Sequence, residues 1–231
     1  MHIKRADLET CGSVTGVAVV IDVIRAFTTA AYAFAAGASE IMPVSTLDEA
    51  RALRERFPGA LLMGETGGWM PEGFDFGNSP AALIGQDLHG KKLIQRTGAG
   101  TQGLVRSLNA DVLLACSFAG AGATARYIKR LAPSEVTLVV TGVFPDRDGD
   151  EDIACADYLA ALLRGETPDP ALFTERVLAS DAARLFTDHD HPAFPAADMA
   201  LCTDVDRFDF VMRIERRRDE ALLVMRAQPP F

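Results

Sequence analysis

Short apolar runs alternate along the chain with longer amphipathic stretches, and the clearest run is Val17-Ala-Val-Val-Ile21. An apolar run without polar alternation predicts a strand buried on both faces. It stops at Asp22. The alanine-rich stretch from Ala26 to Ala36 follows with high helix propensity and closes at Gly37, a fitting helix C-cap. Asp22 is thereby expected at the carboxyl end of a central strand, where open α/β sheets place their ligand sites. Glu40-Ile-Met-Pro-Val44 reads as the next strand. Thr46 and Glu49 match a capping box for a helix with Leu47, Ala50, Leu53 and Phe57 on one face, ended by Pro58-Gly59. Ala60 to Met63 is a further strand that runs into a carboxylate, Glu65.

The alternation continues through Lys92 to Gln95, Asp111 to Cys116 and Val136 to Val140, all read as strands. After them come the loop Arg96 to Gly103 with a short helix, Gly120-Ala-Gly122 with a helix through Leu131, and the acidic loop Asp146 to Asp152. The helix after that loop is striped by Ile153, Ala156, Ala160 and Leu163. Such repetition predicts an α/β three-layer sandwich with a largely parallel central sheet. Beyond Gly165 the pattern changes: Ala171 to Phe186 reads as helix and Asp188 to Pro195 as a polar loop. Phe208 to Ile214 and Ala221 to Met225 read as a closing antiparallel hairpin. The expectation is a single domain over residues 1–231, with a core over 1–165 and a C-terminal helix and hairpin appendage over 166–231.

Composition narrows the function. The 231 residues carry a formal net charge of −9, with 48% hydrophobic and 24% charged residues, as in ordinary globular proteins. Nucleic-acid binding needs a basic face, and the one basic run, Arg216-Arg217-Arg218, is flanked by Glu215, Asp219 and Glu220. No nucleic-acid partner is expected. Nor is a membrane: no apolar run approaches the roughly 18 residues of a span, and Met1 to Ser13 lacks a signal-peptide core. Cys11, Cys116, Cys155 and Cys202 are too scattered for zinc or a disulfide framework, which points to reduced, buried thiols and a cytoplasmic location.

Several constellations could carry chemistry. Arg25 stands in a first helical turn, where a cation is unfavourable unless Asp22 pairs with it or an anion binds there. Gly98-Ala-Gly-Thr-Gln-Gly103 matches G-x-G-x-x-G after a strand, but the next strand ends Ala115-Cys116-Ser117, without the acid that would hold a ribose. A phosphate cradle with Thr97 and Thr101, or a tight turn for helix–sheet packing, both stand as readings of this loop. Asp22, Glu65 and the cluster Asp146, Asp148, Asp150, Glu151 and Asp152 place hard oxygen donors at strand ends, which suits Mg²⁺. Asp188-His-Asp-His191 could bind a metal, but in a proline-flanked loop without a third ligand at proper spacing it reads rather as a solvated loop. In Gly77-Asn78-Ser79-Pro80, Ser79 suits a helix N-cap with Pro80 at the first helical position, while Asn78 and Ser79 could instead offer neutral donors to a substrate.

Taken in order, Asp22-Val-Ile-Arg25-Ala-x-Thr28-Thr29, Gly64-Glu65, Gly73-Phe-x-x-Gly77-Asn78-Ser79-Pro80, Thr97 to Thr101 and Glu151-Asp152-x-x-Cys155-Ala156 resemble the 2-phosphosulfolactate phosphatase family. The resemblance covers roughly the first 165 residues. It implies an α/β fold, Mg²⁺-dependent hydrolysis of a phosphate monoester of a small sulfonated hydroxy acid, and a homodimer. The family's Thr-Thr-Asn-Gly-Thr loop is Thr97-Gly98-Ala99-Gly100-Thr101 here, and Gly120 stands where the family tends to carry asparagine. On this footing Asp22, Glu65 and Asp152 are expected to bind metal or act as base. Arg25, Thr28, Asn78, Ser79, Thr97, Gly100 and Thr101 are expected around the substrate. A non-catalytic anion or nucleotide binder on the same fold, and an NAD-dependent oxidoreductase, are the alternatives.

Overall fold

The computed structural model describes residues 1–144, 147–187 and 191–230, apart from the side chain of Arg218. Asp146 of the acidic loop and the Asp188-His189-Asp190 part of the histidine motif lie outside the described residues.

The strands are β1 (His2–Ala6), β2 (Val17–Ile21), β3 (Glu40–Val44), β4 (Leu61–Gly64), β5 (Lys92–Arg96), β6 (Val112–Cys116), β7 (Glu135–Val140), β8 (Val211–Arg217) and β9 (Leu222–Gln228). All five residues of β2 are buried, as its unbroken apolar run requires. Among the described residues the nine strands form one mixed sheet in the order β1-β7-β2-β6-β8-β9-β3-β5-β4. β1, β7, β2 and β6 are mutually parallel, and so are β3, β5 and β4. The β8–β9 hairpin joins these two blocks, antiparallel to β6 on one side and to β3 on the other. It is therefore an interior part of the sheet, where the sequence pattern suggests a closing appendage. Its apolar residues explain the placement: Val211, Val224 and Met225 are fully buried, as interior strands demand.

The helices are α1 (Ala26–Ala35), α2 (Leu47–Arg56), α3 (Gly100–Arg106), α4 (Ala121–Leu131), α5 (Asp150–Arg164), α6 (Ala171–Ala179) and α7 (Ala197–Cys202). Every residue of α1 except Ala35 is buried, so its small and apolar composition all round is a packing requirement. It packs with Val20 of β2, Leu113 of β6, Ile214 of β8, Met225 of β9, Ile41 of β3 and Leu93 of β5. One face of the sheet thus wraps α1. On the other face α4 and α5 cover the β2 block, and α2 covers the β3 block. The capping box forms as expected: Glu49 N donates to Thr46 Oγ1 at 3.1 Å, and Thr46 N donates to Glu49 Oε2 at 3.0 Å. The four cysteines are free and buried, and among the described residues no helix is long and apolar enough to cross a membrane.

Three successive antiparallel steps leave the two parallel blocks nominally opposed. Their carboxyl ends still meet at the start of α1, where Gln95 of β5 donates to Ala26 O at 2.9 Å. Strand twist, roughly 20–25° per step, accumulates over the steps from β2 to β5 and turns the second block back toward the first.

A close contact sets the seat of α3. A Cβ at Gly103 would lie 2.5 Å from Val20 Cγ1 and 2.9 Å from Thr141 Cγ2. Gly103→Ala should therefore cost about 1–3 kcal/mol by overpacking, despite alanine's better helix propensity. Urea unfolding should show a lowered midpoint; an unchanged midpoint would mean that α3 can retreat from the sheet.

Candidate active site

Asp22 follows β2 directly and is buried. Its Oδ1 accepts from Ala26 N, the first residue of α1, at 2.9 Å, and the Gly100 N–H also donates to the carboxylate. Glycine is required at position 100, because a Cβ there would stand 2.7 Å from Asp22 Oδ2. Burial, and then the neighbouring Glu65, push Asp22 up to about 6; the two backbone donors oppose that rise, with Arg25 adding least.

Glu65 arrives from the other block. Gly64 ends β4 at φ 142°, and a Cβ on it would fall 1.8 Å from Arg96 O, so only glycine lets β4 approach β5 here. Glu65 is anchored through its backbone, which donates to Arg96 O at 3.0 Å and accepts from Arg96 Nη1 at 2.7 Å. Its Oε1 accepts from Gly98 N at 2.5 Å and its Oε2 from Gly68 N at 2.7 Å.

The first turn of α5 supplies two more buried acids with different tasks. Asp152 Oδ1 accepts from Val23 N at 2.8 Å, while Oδ2 accepts from Thr141 N at 3.1 Å, Thr141 Oγ1 at 3.2 Å and Gly142 N at 2.8 Å. It ties the ends of β2 and β7 together and does not line the cavity described below. Glu151, about 100° round the helix from it, has a buried Oε2 with no partner among the described residues. Burial, then Asp22 and Asp148, push Glu151 up to about 7. Burial, then Glu151 and Asp22, hold Asp152 well above the usual carboxylate range. Asp150 is turned away and pairs with Arg176 of α6.

Arg25 does not pair with Asp22. Its Nη1 donates to Asp198 Oδ2 at 2.7 Å and to Ala193 O at 2.8 Å. Its guanidinium carbon lies 5.0 Å from the Phe186 ring centre and 5.2 Å from that of Phe194. Asp198, on α7, is completely buried, and its Oδ1 accepts from Ser79 Oγ at 2.7 Å and Ala81 N at 2.9 Å. Ser79 is thus committed to Asp198. Asn78 faces the cavity, with a buried Oδ1 that has no partner among the described residues.

Three expected ligand residues bond within the protein. Thr28 Oγ1 donates to Val23 O at 2.8 Å. Thr97 and Thr101 are buried and clasp each other: Thr97 N donates to Thr101 Oγ1 at 2.9 Å, and Thr101 N to Thr97 Oγ1 at 3.0 Å. The loop reaches the cavity through Gly98 and Ala99 instead. Gly100 and Gly103 serve close packing, which is the tight-turn reading of the glycine motif.

The cavity measures about 350 Å³. Asp22 and Glu65 line it beside Gly67, Gly68, Gly98 and Ala99. Arg25 and Arg147 are its cations, and Ile24, Phe144, Leu185, Phe186 and Phe194 form apolar wall. The long loop after Glu65, marked by its length in the sequence, contributes both glycines and Asn78. Among the described residues, no group of three or more His, Cys, Asp or Glu side chains is arranged to hold a metal ion. Asp22 and Glu65 are brought together on one wall, with Asp152 behind them. Sequence reasoning passed over Arg147 and Asp198, which no pattern marks; Glu151 was named among the acidic donors and in the family-like motif, but Asp152 was preferred to it for the site.

The raised acids fix a direction for stability. Protonated Asp22 and Glu151 favour the fold, so the folded protein holds more protons than the unfolded chain between about pH 4 and 7. Stability should be high near pH 5 and fall as pH rises through 6 to 7 in metal-free buffer. Over the whole window from about pH 4 to above 7, Glu151 alone accounts for ~3 kcal/mol of lost stability at about 1.4 kcal/mol per pKa unit. Urea midpoints should show Glu151→Gln more stable than wild type at pH 8 and nearly equal at pH 5. A flat wild-type profile would remove the argument.

Comparison with known proteins bears on this site. A family model described as 2-phosphosulpholactate phosphatase matches residues 3–217. A protein of Bacillus subtilis named probable 2-phosphosulfolactate phosphatase is 39% identical over 199 residues, covering 86% of each chain. Proteins of the same name from Deinococcus radiodurans and Synechocystis are 34% and 35% identical, over 87% and 75% of this chain and 86% and 76% of theirs. The match runs past the motifs of the first 165 residues and takes in the segment that carries Asp198. The chain belongs to the 2-phosphosulfolactate phosphatase family.

Proposed function

We propose that this protein hydrolyses the phosphate monoester of 2-phosphosulfolactate or a closely related small hydroxy acid, and that it does so with Mg²⁺. The observation that carries the reading is the pair Asp22 and Glu65 on one wall of a cavity that also presents two arginines, in a chain of this family. A phosphoryl group could not approach two bare carboxylates. The donor set fits a divalent cation: Asp22 is raised by its burial and by Glu65, and Mg²⁺ needs only one or two carboxylates beside substrate oxygens and water. Asp22 and Glu65 would hold it. When bound, Mg²⁺ supplies charge neutralisation at the phosphoryl group and a lowered pKa for water.

The chain's own residues supply the rest. Asp22 orients the attacking water and takes its proton as general base. Glu151, beside Asp22 and raised to about 7, is partly protonated near neutral pH, which lessens the negative charge around Asp22. Arg147 stands on the cavity wall and acts electrostatically on Glu151, which places its charge near the reacting end. Water attacks phosphorus, the ester P–O bond breaks, and the hydroxy acid leaves with a proton from solvent. Asp152 keeps β2 and β7 in register for Asp22 and takes no part in the step.

Phosphate release from 2-phosphosulfolactate should require Mg²⁺ and stop with EDTA. Asp22→Asn should lower kcat by at least a thousandfold without lowering the melting temperature. Mg²⁺ should raise the wild-type melting temperature at pH 8 and leave that of Asp22→Asn unmoved, a readout independent of turnover. Tight anion binding without turnover would favour the non-catalytic reading.

A further inference from the structure

We propose that Arg25, held by Asp198, reads the substrate's second, non-reacting anion and not its phosphate. The inference rests on the phosphatase reading above and deepens it.

The geometry of Arg25 differs from that of a phosphate ligand in three respects. Only one amino group of the fork, Nη1, is bonded, to Asp198 and Ala193; the other edge has no partner among the described residues, and the side chain lines the cavity. A planar fork with a free edge matches a carboxylate or sulfonate in two parallel hydrogen bonds. Its charge is already met by Asp198, which is completely buried and has no other cation paired with it among the described residues. A pair that is nearly neutral as a unit suits a monoanion held by shape, whereas a phosphate dianion calls for uncompensated positive charge. Finally, the rings of Phe186 and Phe194, in edge-to-face contact with each other at 5.4 Å, lie together on one side of the guanidinium. They give that side an apolar backing, which strengthens the cation's remaining hydrogen bonds.

The cavity therefore has two sets of lining groups. One is Asp22 and Glu65 with Arg147; the other is Arg25, held by Asp198 and backed by Phe186 and Phe194. A substrate that carries a phosphate at one carbon and a carboxylate or sulfonate at a neighbour spans both. Asp198 is a positioning residue in this arrangement. It never touches the ligand, yet it holds Arg25 and, through Ser79 and Ala81, the loop that presents Asn78.

The test compares kcat/KM for four esters, all with Mg²⁺: 2-phosphosulfolactate, 2-phospholactate, the phosphate ester of 2-hydroxyethanesulfonate, and 4-nitrophenyl phosphate, which lacks a second anion. Arg25→Met should shrink the preference for 2-phosphosulfolactate over 4-nitrophenyl phosphate about a hundredfold. Arg25→Lys should recover little of it, because an ammonium cannot present the fork. Asp198→Asn should raise KM for 2-phosphosulfolactate more than tenfold with a smaller change in kcat, a split that general loosening of the fold does not produce. Whichever single-anion ester loses its advantage in Arg25→Met names the group that is read. An unchanged preference in the Arg25 variants would overturn the proposal and return Arg25 to the phosphate. Should Arg25→Met fail to fold, Arg25→Lys carries the same comparison. If wild type hydrolyses none of the esters, the phosphatase reading fails separately. Calorimetric binding of sulfolactate then decides for Arg25: binding lost in its variants supports the inference, and equal binding overturns it.

Discussion

Four carboxylates, Asp22, Glu65, Glu151 and Asp152, are buried close together, and none is in an ion pair among the described residues. Burying negative charge in this way is costly unless something answers it. The protein answers it first with backbone N–H groups: Ala26 and Gly100 for Asp22, Gly68 and Gly98 for Glu65, Val23, Thr141 and Gly142 for Asp152. Donors this close need backbone with little side chain in the way, and four of the seven are glycines. The glycine richness of these loops is thus tied to the acids, where a phosphate cradle was the sequence-level alternative. What the N–H groups leave unanswered appears as raised proton affinity, and as room for a cation. Arg25, the one arginine in the Asp22 motif, is denied to them by Asp198.

Local signals in the sequence were legible because their physics is local. The unbroken apolar run of β2, the Thr46–Glu49 capping box and the alanine-rich α1 each formed within a residue or so of the expected bounds. β1 was missed because only its second and fifth residues are even partly buried; as an edge strand rich in charge it shows no apolar alternation. α7 is six residues long, too short to establish a period. The place of the β8–β9 hairpin was beyond reach for another reason. Its strand character is written locally, but strand order depends on which edges are left for it to pair.

The site divides in the same manner. Acids at strand ends could be seen, and Asp22 and Glu65 did meet, although strand twist brings them together and a common parallel edge does not. Thr28, Thr97 and Thr101 stood in the family-like motifs, yet a motif records that a residue type is needed without saying which way it faces. Their hydroxyls brace the loops that carry the acids. Asp198 lies 173 positions from Arg25 and belongs to no recognisable pattern, so the pairing of the two needed the folded chain.

The interior hairpin has a consequence for how the chain reaches its structure. β6 and β3 belong to different blocks, and neither can be bridged to the other until β8 and β9 have emerged, after every other strand. Until then a growing chain holds two incomplete half-sheets with open edges, and α1 has lost much of one wall. Assembly thus waits on long-range pairing with the hairpin, which is slow to form and exposes the nascent chain to mispairing. Since Asp22 and Glu65 sit in opposite halves, the same late step that closes the sheet also assembles the cavity. A partly made protein therefore has no site with which to act.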